Sequence, residues 1–192
     1  MAKSIFQRKR DLVYLVFFII HIPVMLGFDL SGYYPAQIKP LWMTSLREWY
    51  VATYGDRFFY NPPAFFPPFL ALELLFHLPL SLWAIPALLR SDPRVPLALL
   101  VFGLETTLST LVCLAEMLSW EELSAAQRGA GGLGGMYGGY LGLGTYFGGI
   151  WWKGNVEANC VIGVFMTVDC YARLDGWIAR EKGLTPVSKK EL

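Results

Sequence analysis

The sequence is poor in charged side chains. Asp, Glu, Lys and Arg make up only 16% of its 192 residues, whereas hydrophobic residues make up 55%. A soluble domain carries about 25% charged residues, so this deficit indicates a multispan membrane protein with a single domain. The net charge is only +1, which gives no support for a general role in nucleic-acid binding.

Cysteine is also scarce. The three cysteines, Cys113, Cys160 and Cys170, are scattered and show no paired spacing. An odd, unpaired set of this kind predicts neither a disulfide framework nor a zinc site. We interpret these side chains as small apolar residues that fill space between helices.

Histidine occurs only twice, at positions 21 and 77. Together with Asp29 and Glu73 these residues are of the types that ligate zinc. No close spacing joins them, however, so the sequence predicts no metal site, and no cofactor is predicted either.

What the chain does contain is long apolar runs. A bilayer-spanning helix needs about 20 consecutive apolar residues. Three runs meet this length, over Leu12–Leu30, about Phe65–Leu89 and about Pro96–Leu118. A fourth span is predicted from the apolar segments that flank residues 142–160, and it ends at Arg173.

The basic residues set the expected orientation. They precede the first span and lie between the second and third spans, whereas residues 119–135 contain a single one, Arg128. The positive-inside rule then places both termini in the cytosol. The expected organisation is a cytosolic N-terminus at 1–11, a four-span membrane domain at 12–173 and a cytosolic tail at 174–192. That tail ends Lys189-Lys-Glu-Leu, which resembles a dilysine retrieval signal of multi-pass endoplasmic reticulum membrane proteins.

One short amphipathic helix is predicted outside the spans, over Leu41–Tyr54. Trp42, Leu46, Trp49 and Tyr50 fall on one side of it. Because Trp and Tyr favour the headgroup zone, this helix is expected to lie on the lumenal membrane surface or to cap the bundle. The predicted fold is therefore an all-α, multispan four-helix membrane bundle with a short lumenal helix.

Two polar residues interrupt the second span. Glu73 and His77 are four residues apart, so on a helix they share one face. A carboxyl group at that depth costs several kcal/mol, unless it faces a pocket or a partner. We therefore expect Glu73 to line a ligand cavity within the membrane. Asp29, near the far end of the first span, is either part of that cavity or a carboxylate at the lumenal surface. Asp56 has the spacing of a plain turn residue.

Several short motifs occur together, in one order, over about residues 11–141. They are His21-Ile-Pro with Asp29; Trp49-Tyr50 with Asp56; Pro62-Pro-Ala-Phe; Glu73-Leu-Leu-Phe-His-Leu-Pro; a Thr-rich third span; and Tyr137-Gly-Gly-Tyr140. In these motifs the chain resembles the EXPERA membrane proteins, most closely the sigma-2 receptor (transmembrane protein 97) branch. The resemblance implies a four-helix protein of the endoplasmic reticulum, often a homodimer, with a cavity that accepts sterols and cationic amphiphiles.

The resemblance also implies roles for individual residues. Asp29 would pair with a ligand amine, Glu73 would bond to Asp29, and Asp56 would be a structural carboxylate. His77 and Glu105 depart from the receptor pattern and add titratable groups to the site. The expected ligand-binding residues are Asp29, Asp56, Glu73, His77, Tyr137 and Tyr140. Further candidate walls are Trp49, Tyr50, Phe65 and Phe69.

Residues 142–160 have no counterpart in the family pattern. We interpret them as an insertion, either a re-entrant or bent segment or the product of an unspliced intron. Uniform transcript coverage across codons 141–161 would contradict the intron.

Three functions remain open from the sequence. The first is a non-catalytic, sigma-2 receptor-like regulator of sterol and lipid handling that binds a sterol or lipid-like amphiphile. The second is a sterol Δ8–Δ7 isomerase-like enzyme, for which Glu73, His77 and Glu105 would supply the acid and the base. The third is a chaperone-like factor for the trafficking of other membrane proteins.

Overall fold

The computed structural model describes residues 4–129, 131–137 and 162–183. Within these ranges the chain is helical and contains no strand. Three helical stretches are long and apolar enough to cross a membrane, Lys9–Tyr33, Phe66–Arg90 and Val95–Leu118. They confirm the first three predicted spans, whereas residues 142–160 and the start of the fourth predicted span lie outside the described residues.

The described helices are named α1 to α7 in chain order. They are α1 (Lys9–Gly27), α2 (Leu41–Tyr54), α3 (Phe66–Leu72), α4 (Leu78–Arg90), α5 (Val95–Leu118), α6 (Ala125–Arg128) and α7 (Ile162–Glu181). Single 3₁₀ turns cover Ile5–Gln7, Asp29–Tyr33 and Arg57–Phe59, and residues 133–137 form one further helical turn. The last helix, α7, continues past Arg173, where the sequence predicted the polar tail to begin.

The second span contains a π-helical turn, Glu73–His77, between α3 and α4. There the N–H of Leu78 donates to the carbonyl of Glu73, five residues back. Pro79 follows directly, and its ring has no N–H and crowds the carbonyl of the residue four positions earlier. The widened turn accommodates this proline.

Helix α2 has the bounds that the sequence predicted, and it ends at Gly55, whose φ of 69° is left-handed and favours glycine. Its two tryptophans, Trp42 and Trp49, are exposed. Tyr50, which the sequence placed on the same side as the tryptophans, instead packs edge-to-face against Phe28 and Phe59. One aromatic side chain of α2 is therefore anchored next to the end of α1, whereas the two tryptophans are free to contact the surroundings.

Two apolar clusters fill opposite ends of the molecule. The cluster near the start of α1 joins α1, α4, α5 and α7 through Tyr14, Phe18, Leu88, Leu99, Phe102, Met166 and Cys170. The cluster at the other end contains Phe58, Cys113, Met117, Trp120, Leu123 and Leu133. Cys113 and Cys170 are free, buried thiols within these clusters, as expected for apolar filling residues, and Cys160 lies outside the described residues.

Helices α5 and α7 form the most extensive helix pair among the described residues. They cross closely because each carries a glycine at the contact. A Cβ added at Gly103 would lie 2.8 Å from the carbonyl oxygen of Gly163, and one added at Gly163 would lie 2.9 Å from that of Gly103. Thr107 and Thr167 donate their hydroxyls to these same two carbonyls, at 2.7 Å each.

Candidate functional site

A cavity of about 310 Å³ lies between the C-terminal end of α1, the α3–π segment and the second half of α5. This volume is at the lower end of the range of small-molecule sites, about 300–1,000 Å³. Its lining is mostly apolar and aromatic, with a few polar groups. The lining residues are Val24, Phe28, Asp29, Tyr50, Phe59, Phe66, Phe69, Leu70, Glu73, His77, Glu105, Ser109, Thr110, Cys113, Met136 and Tyr137.

Three acidic residues on separate elements line this cavity. Asp29 opens the 3₁₀ turn after α1, Glu73 opens the π-helical turn, and Glu105 lies in α5. The structure thus brings the two carboxyls that the sequence singled out, Asp29 and Glu73, to one chamber. Glu73 interacts electrostatically with both of the others, so the cavity brings three carboxyl groups close together in an apolar surrounding.

Glu73 has an unsatisfied oxygen. Its Oε2 atom is buried and has no hydrogen-bond partner in the described part of the chain. No hydrogen bond joins Glu73 to Asp29 among those residues. A buried polar atom without a partner is unfavourable by about 1–3 kcal/mol, and more when charged, so this oxygen is suited to accept a hydrogen bond from a ligand.

His77 and Glu105 form a hydrogen-bonded pair on the cavity wall. The bond joins His77 Nε2 to Glu105 Oε2 and so connects the π-helical turn to α5. The ring of His77 also packs on Phe102, with 4.4 Å between ring centroids, and it lies 5.9 Å from the ring of His21. His21 itself does not line the cavity. An imidazole bonded to a carboxyl can hold a proton on either group.

Asp56 stands behind the cavity wall rather than in it. Its buried carboxylate accepts hydrogen bonds from Tyr50 Oη at 3.0 Å, from Tyr137 Oη at 2.7 Å and from the Phe58 N–H at 3.0 Å. Both tyrosines line the cavity. Asp56 therefore caps its own 3₁₀ turn, as a turn residue would, and also holds two aromatic walls in place. Burial raises its pKa, although the three hydrogen bonds act in the opposite direction.

The other predicted walls divide into two groups. Tyr50, Phe69 and Tyr137 line the cavity, whereas Trp49 and Phe65 do not. Tyr140 lies outside the described residues.

Helix α5 contributes site residues that the sequence reasoning missed. Ser109, Thr110 and Cys113 line the cavity together with Glu105. Hydroxyls on a membrane span usually bond to their own helix or to a neighbouring one, and Ser109 Oγ donates to the carbonyl of Glu105 at 3.0 Å. The four-residue spacing of Glu105, Ser109 and Cys113 places them on one helical face, and this spacing was the signal available in the sequence.

Comparison with known proteins identifies the family of this chain. Residues 42–148, more than half of the chain, match the model of the family described as EXPERA (EXPanded EBP superfamily). The chain belongs to the EXPERA family. Among the residues discussed above, Asp56, Glu73, His77, Glu105 and Tyr137 fall inside the matched region of this EXPERA protein, and Asp29 precedes it.

Individual EXPERA relatives are similar over part of the chain. Sigma intracellular receptor 2 from Macaca fascicularis and that from Homo sapiens are each 30% identical over 112 residues, which cover 58% of this chain and 63% of the relative. The Xenopus tropicalis protein of the same name is 29% identical over 76 residues, or 40% of this chain and 44% of the relative. The chain thus spans less than two thirds of the length of the relatives it matches.

Proposed function

We propose that this EXPERA protein binds sterols and cationic amphiphiles in the acidic cavity and acts as a receptor-like regulator of sterol and lipid handling. The observation that carries the proposal is that Asp29 and Glu73 line one aromatic-walled cavity, where one Glu73 oxygen has no hydrogen-bond partner among the described residues. The similarity to proteins named sigma intracellular receptor 2 supports a receptor-like role.

The physical chemistry of the cavity favours a ligand with one cationic end. Two or more carboxyls in an apolar surrounding repel each other, and a buried charge is tolerated only when it is paired. An ammonium group placed between Asp29 and Glu73 supplies both the opposite charge and N–H donors. The rings of Phe28, Phe66 and Phe69 then take up the hydrocarbon part of the ligand, whether sterol or alkyl chain.

The proposed setting is a four-span bundle in the endoplasmic reticulum membrane, with both termini cytosolic and α2 on the lumenal side. In support, the start of α1 contacts the ends of α4 and α7. Arg8 donates to the carbonyl of Leu88 at 2.7 Å, and Arg173 donates to Asp11 at 2.6 Å. The basic flanks of the chain thereby gather at one end of the molecule, the arrangement that the positive-inside rule associates with the cytosol.

The test is binding of a tertiary-amine amphiphile and of a photoactivatable sterol to the purified full-length protein in lipid nanodiscs. Removing one member of a buried charge pair costs about 2–5 kcal/mol. Asp29→Asn is therefore expected to weaken amine binding by at least about tenfold, and Glu73→Gln is expected to weaken it as well. Labelling by the uncharged sterol should change less.

Two matched controls remove the same charges elsewhere. Asp175→Asn and Glu48→Gln alter exposed carboxyls on α7 and α2, outside the cavity, and should leave amine affinity unchanged. Thermal unfolding of all four variants checks that they are folded. If Asp29→Asn binds the amine as tightly as the wild type, the proposed role of Asp29 is wrong.

The His77–Glu105 pair favours a second candidate, a sterol Δ8–Δ7 isomerase. That reaction protonates one carbon and removes a proton from another, and so it needs an acid and a base facing one ring system. The hydrogen-bonded pair and Glu73 face the same chamber. Incubation of the purified protein with a Δ8-sterol separates the two functions: conversion to the Δ7 isomer that Glu105→Gln abolishes supports the enzyme, and binding without conversion supports the receptor.

A further inference from the structure

A second cavity, of about 370 Å³, lies at the end of the molecule where α1 and α5 begin and where α4 and the described part of α7 end. It shares no lining residue with the acidic cavity. Apolar groups, among them Leu88, Val95 and Trp177, form part of its wall. Three arginines, Arg8, Arg173 and Arg180, form another part.

The two carboxylates in this second cavity already have basic partners. Asp11 lies 2.5 Å from Arg8 and 2.6 Å from Arg173. Asp92 lies 2.8 Å from the guanidinium of Arg94, and the hydrogen bonds from Arg94 lower the pKa of this carboxyl to about 2. Because both carboxylates already have arginine partners and the lining contains three arginines, the cavity has an excess of basic groups.

Arg180 supplies that excess. Its Nε donates to the carbonyl of Gly176 at 2.9 Å, which anchors the side chain one turn back along α7. Among the described residues, no carboxylate lies within ion-pair distance of it. The guanidinium is exposed, and Trp177, which also lines the cavity, is only partly covered. The cavity mouth therefore presents an anchored cation beside an aromatic ring.

We propose that this second cavity binds the phosphate group of an anionic phospholipid. It lies at the ends of three helices long enough to cross a membrane, which places it at the depth of the lipid headgroups. Arginine is well suited to phosphate because its planar guanidinium can donate two parallel hydrogen bonds. Basic pockets between transmembrane helices hold such headgroups, and the apolar wall accommodates the glycerol and the first part of the acyl chains.

The phospholipid site is independent of the proposed sterol and amine binding. It uses different residues at the opposite end of the protein, and its occupancy can be measured with the acidic cavity empty. Failure of either proposal therefore leaves the other standing.

The test uses the full-length protein reconstituted in phosphatidylcholine nanodiscs that contain a minor fraction of phosphatidylserine or phosphatidylinositol monophosphate. Native mass spectrometry counts the lipids that remain bound. The wild type is expected to retain the anionic lipid in preference to phosphatidylcholine. Arg180→Gln is expected to reduce its affinity for the anionic lipid about fivefold, the effect of one basic residue at a charged membrane surface.

A matched control is available two residues away. Lys182→Gln removes the same charge from the same end of the molecule, but Lys182 does not line the cavity. Lipid retention by this variant should equal that of the wild type. Equal losses of bound anionic lipid in the two variants would show that the effect comes from nonspecific surface charge. That result would overturn the proposal. Because Arg180 is exposed, its variant should keep wild-type thermal stability and amine binding.

Inorganic phosphate distinguishes the two sources of the ligand group. If millimolar phosphate leaves the bound anionic lipid in place, the lipid assignment is supported. If it displaces the lipid from the wild type, the cavity is a site for free phosphate and the lipid assignment is wrong.

Discussion

At the scale of single residues, Asp56 shows how a buried carboxyl can hold the walls of a cavity without lining the cavity itself. It accepts hydrogen bonds from Tyr50 on α2, from Tyr137 in the turn over residues 133–137 and from its own 3₁₀ turn. The bond from Tyr137 joins two segments that are 81 residues apart in the sequence. The two tyrosines that it holds are walls of the acidic cavity, so Asp56 determines the shape of the chamber.

The raised pKa of Asp56 predicts a pH dependence of stability. The folded protein keeps a proton on Asp56 at pH values where the unfolded chain, with an Asp pKa of about 3.9, has released it. The contribution of Asp56 to stability is then largest below the unfolded pKa and falls as pH rises through the folded pKa. As pH rises above the unfolded pKa of about 3.9, the wild type should lose stability relative to Asp56→Asn, as measured by thermal unfolding.

The control for this measurement is Asp175→Asn, which neutralises an exposed carboxyl on α7. Its stability relative to the wild type should stay constant over the same pH range. A difference between wild type and Asp56→Asn that does not change with pH would contradict the expectation.

At the scale of elements, the crossing of α5 and α7 depends on the absence of side chains at Gly103 and Gly163. A Cβ at Gly163 would meet Thr107 Oγ1 at 2.4 Å, and one at Gly103 would meet Thr167 Oγ1 at 2.9 Å. Small residues allow helix backbones to approach closely in membranes, where packing rather than water drives association. Both glycines are therefore required for the docking of α7.

We expect Gly163→Ala to destabilise the protein by about 1–3 kcal/mol, the usual effect of overpacking. The added methyl group meets a hydroxyl and a carbonyl, of which the carbonyl is backbone and cannot rotate away. Gly176→Ala is the matched control on the same helix, since no atom of the described residues lies within 4 Å of a Cβ at that position. It should be neutral or slightly stabilising, because alanine favours helices. Similar unfolding temperatures for the two variants in detergent would contradict this expectation.

The π-helical turn determines the local shape of the second span, as the two glycines determine how α5 and α7 cross. Pro79 prevents a regular hydrogen bond to the turn before it, and the backbone responds by widening over Glu73–His77. Turns of this kind occur often at functional sites. Here the widened turn presents both of its polar residues to the acidic cavity.

At the scale of the whole molecule, an ionic network connects the start of α1 to α7. Asp169 accepts from Tyr14 Oη at 2.8 Å and pairs with Arg10 at 2.5 Å and Arg173 at 2.9 Å. Arg173 also pairs with Asp11. The network lies at the opposite end of the molecule from the acidic cavity. The first and last described helices are thereby joined at the end where the basic residues gather.

This arrangement predicts that both termini face the same side of the membrane. Epitope tags placed at Met1 and within residues 184–188, before the dilysine ending, should both be digested by protease added to intact microsomes. The positive-inside rule assigns that side to the cytosol. Solubilised microsomes control for protease activity, and protection of one tag but not the other would imply an odd number of crossings.

The sequence by itself determined the membrane-spanning helices, the bounds of α2 and the presence of Glu73 and His77 on one span, because hydropathy and helical periodicity are local properties of the chain. Only the tertiary structure decided which carboxyls share a chamber, that His77 bonds to Glu105, and that Asp56 holds two tyrosines. These contacts depend on how far one helix is displaced and rotated against another. The relative position of two helices is set by packing between distant segments, such as the crossing at Gly103 and Gly163. It therefore cannot be predicted from any short stretch of sequence.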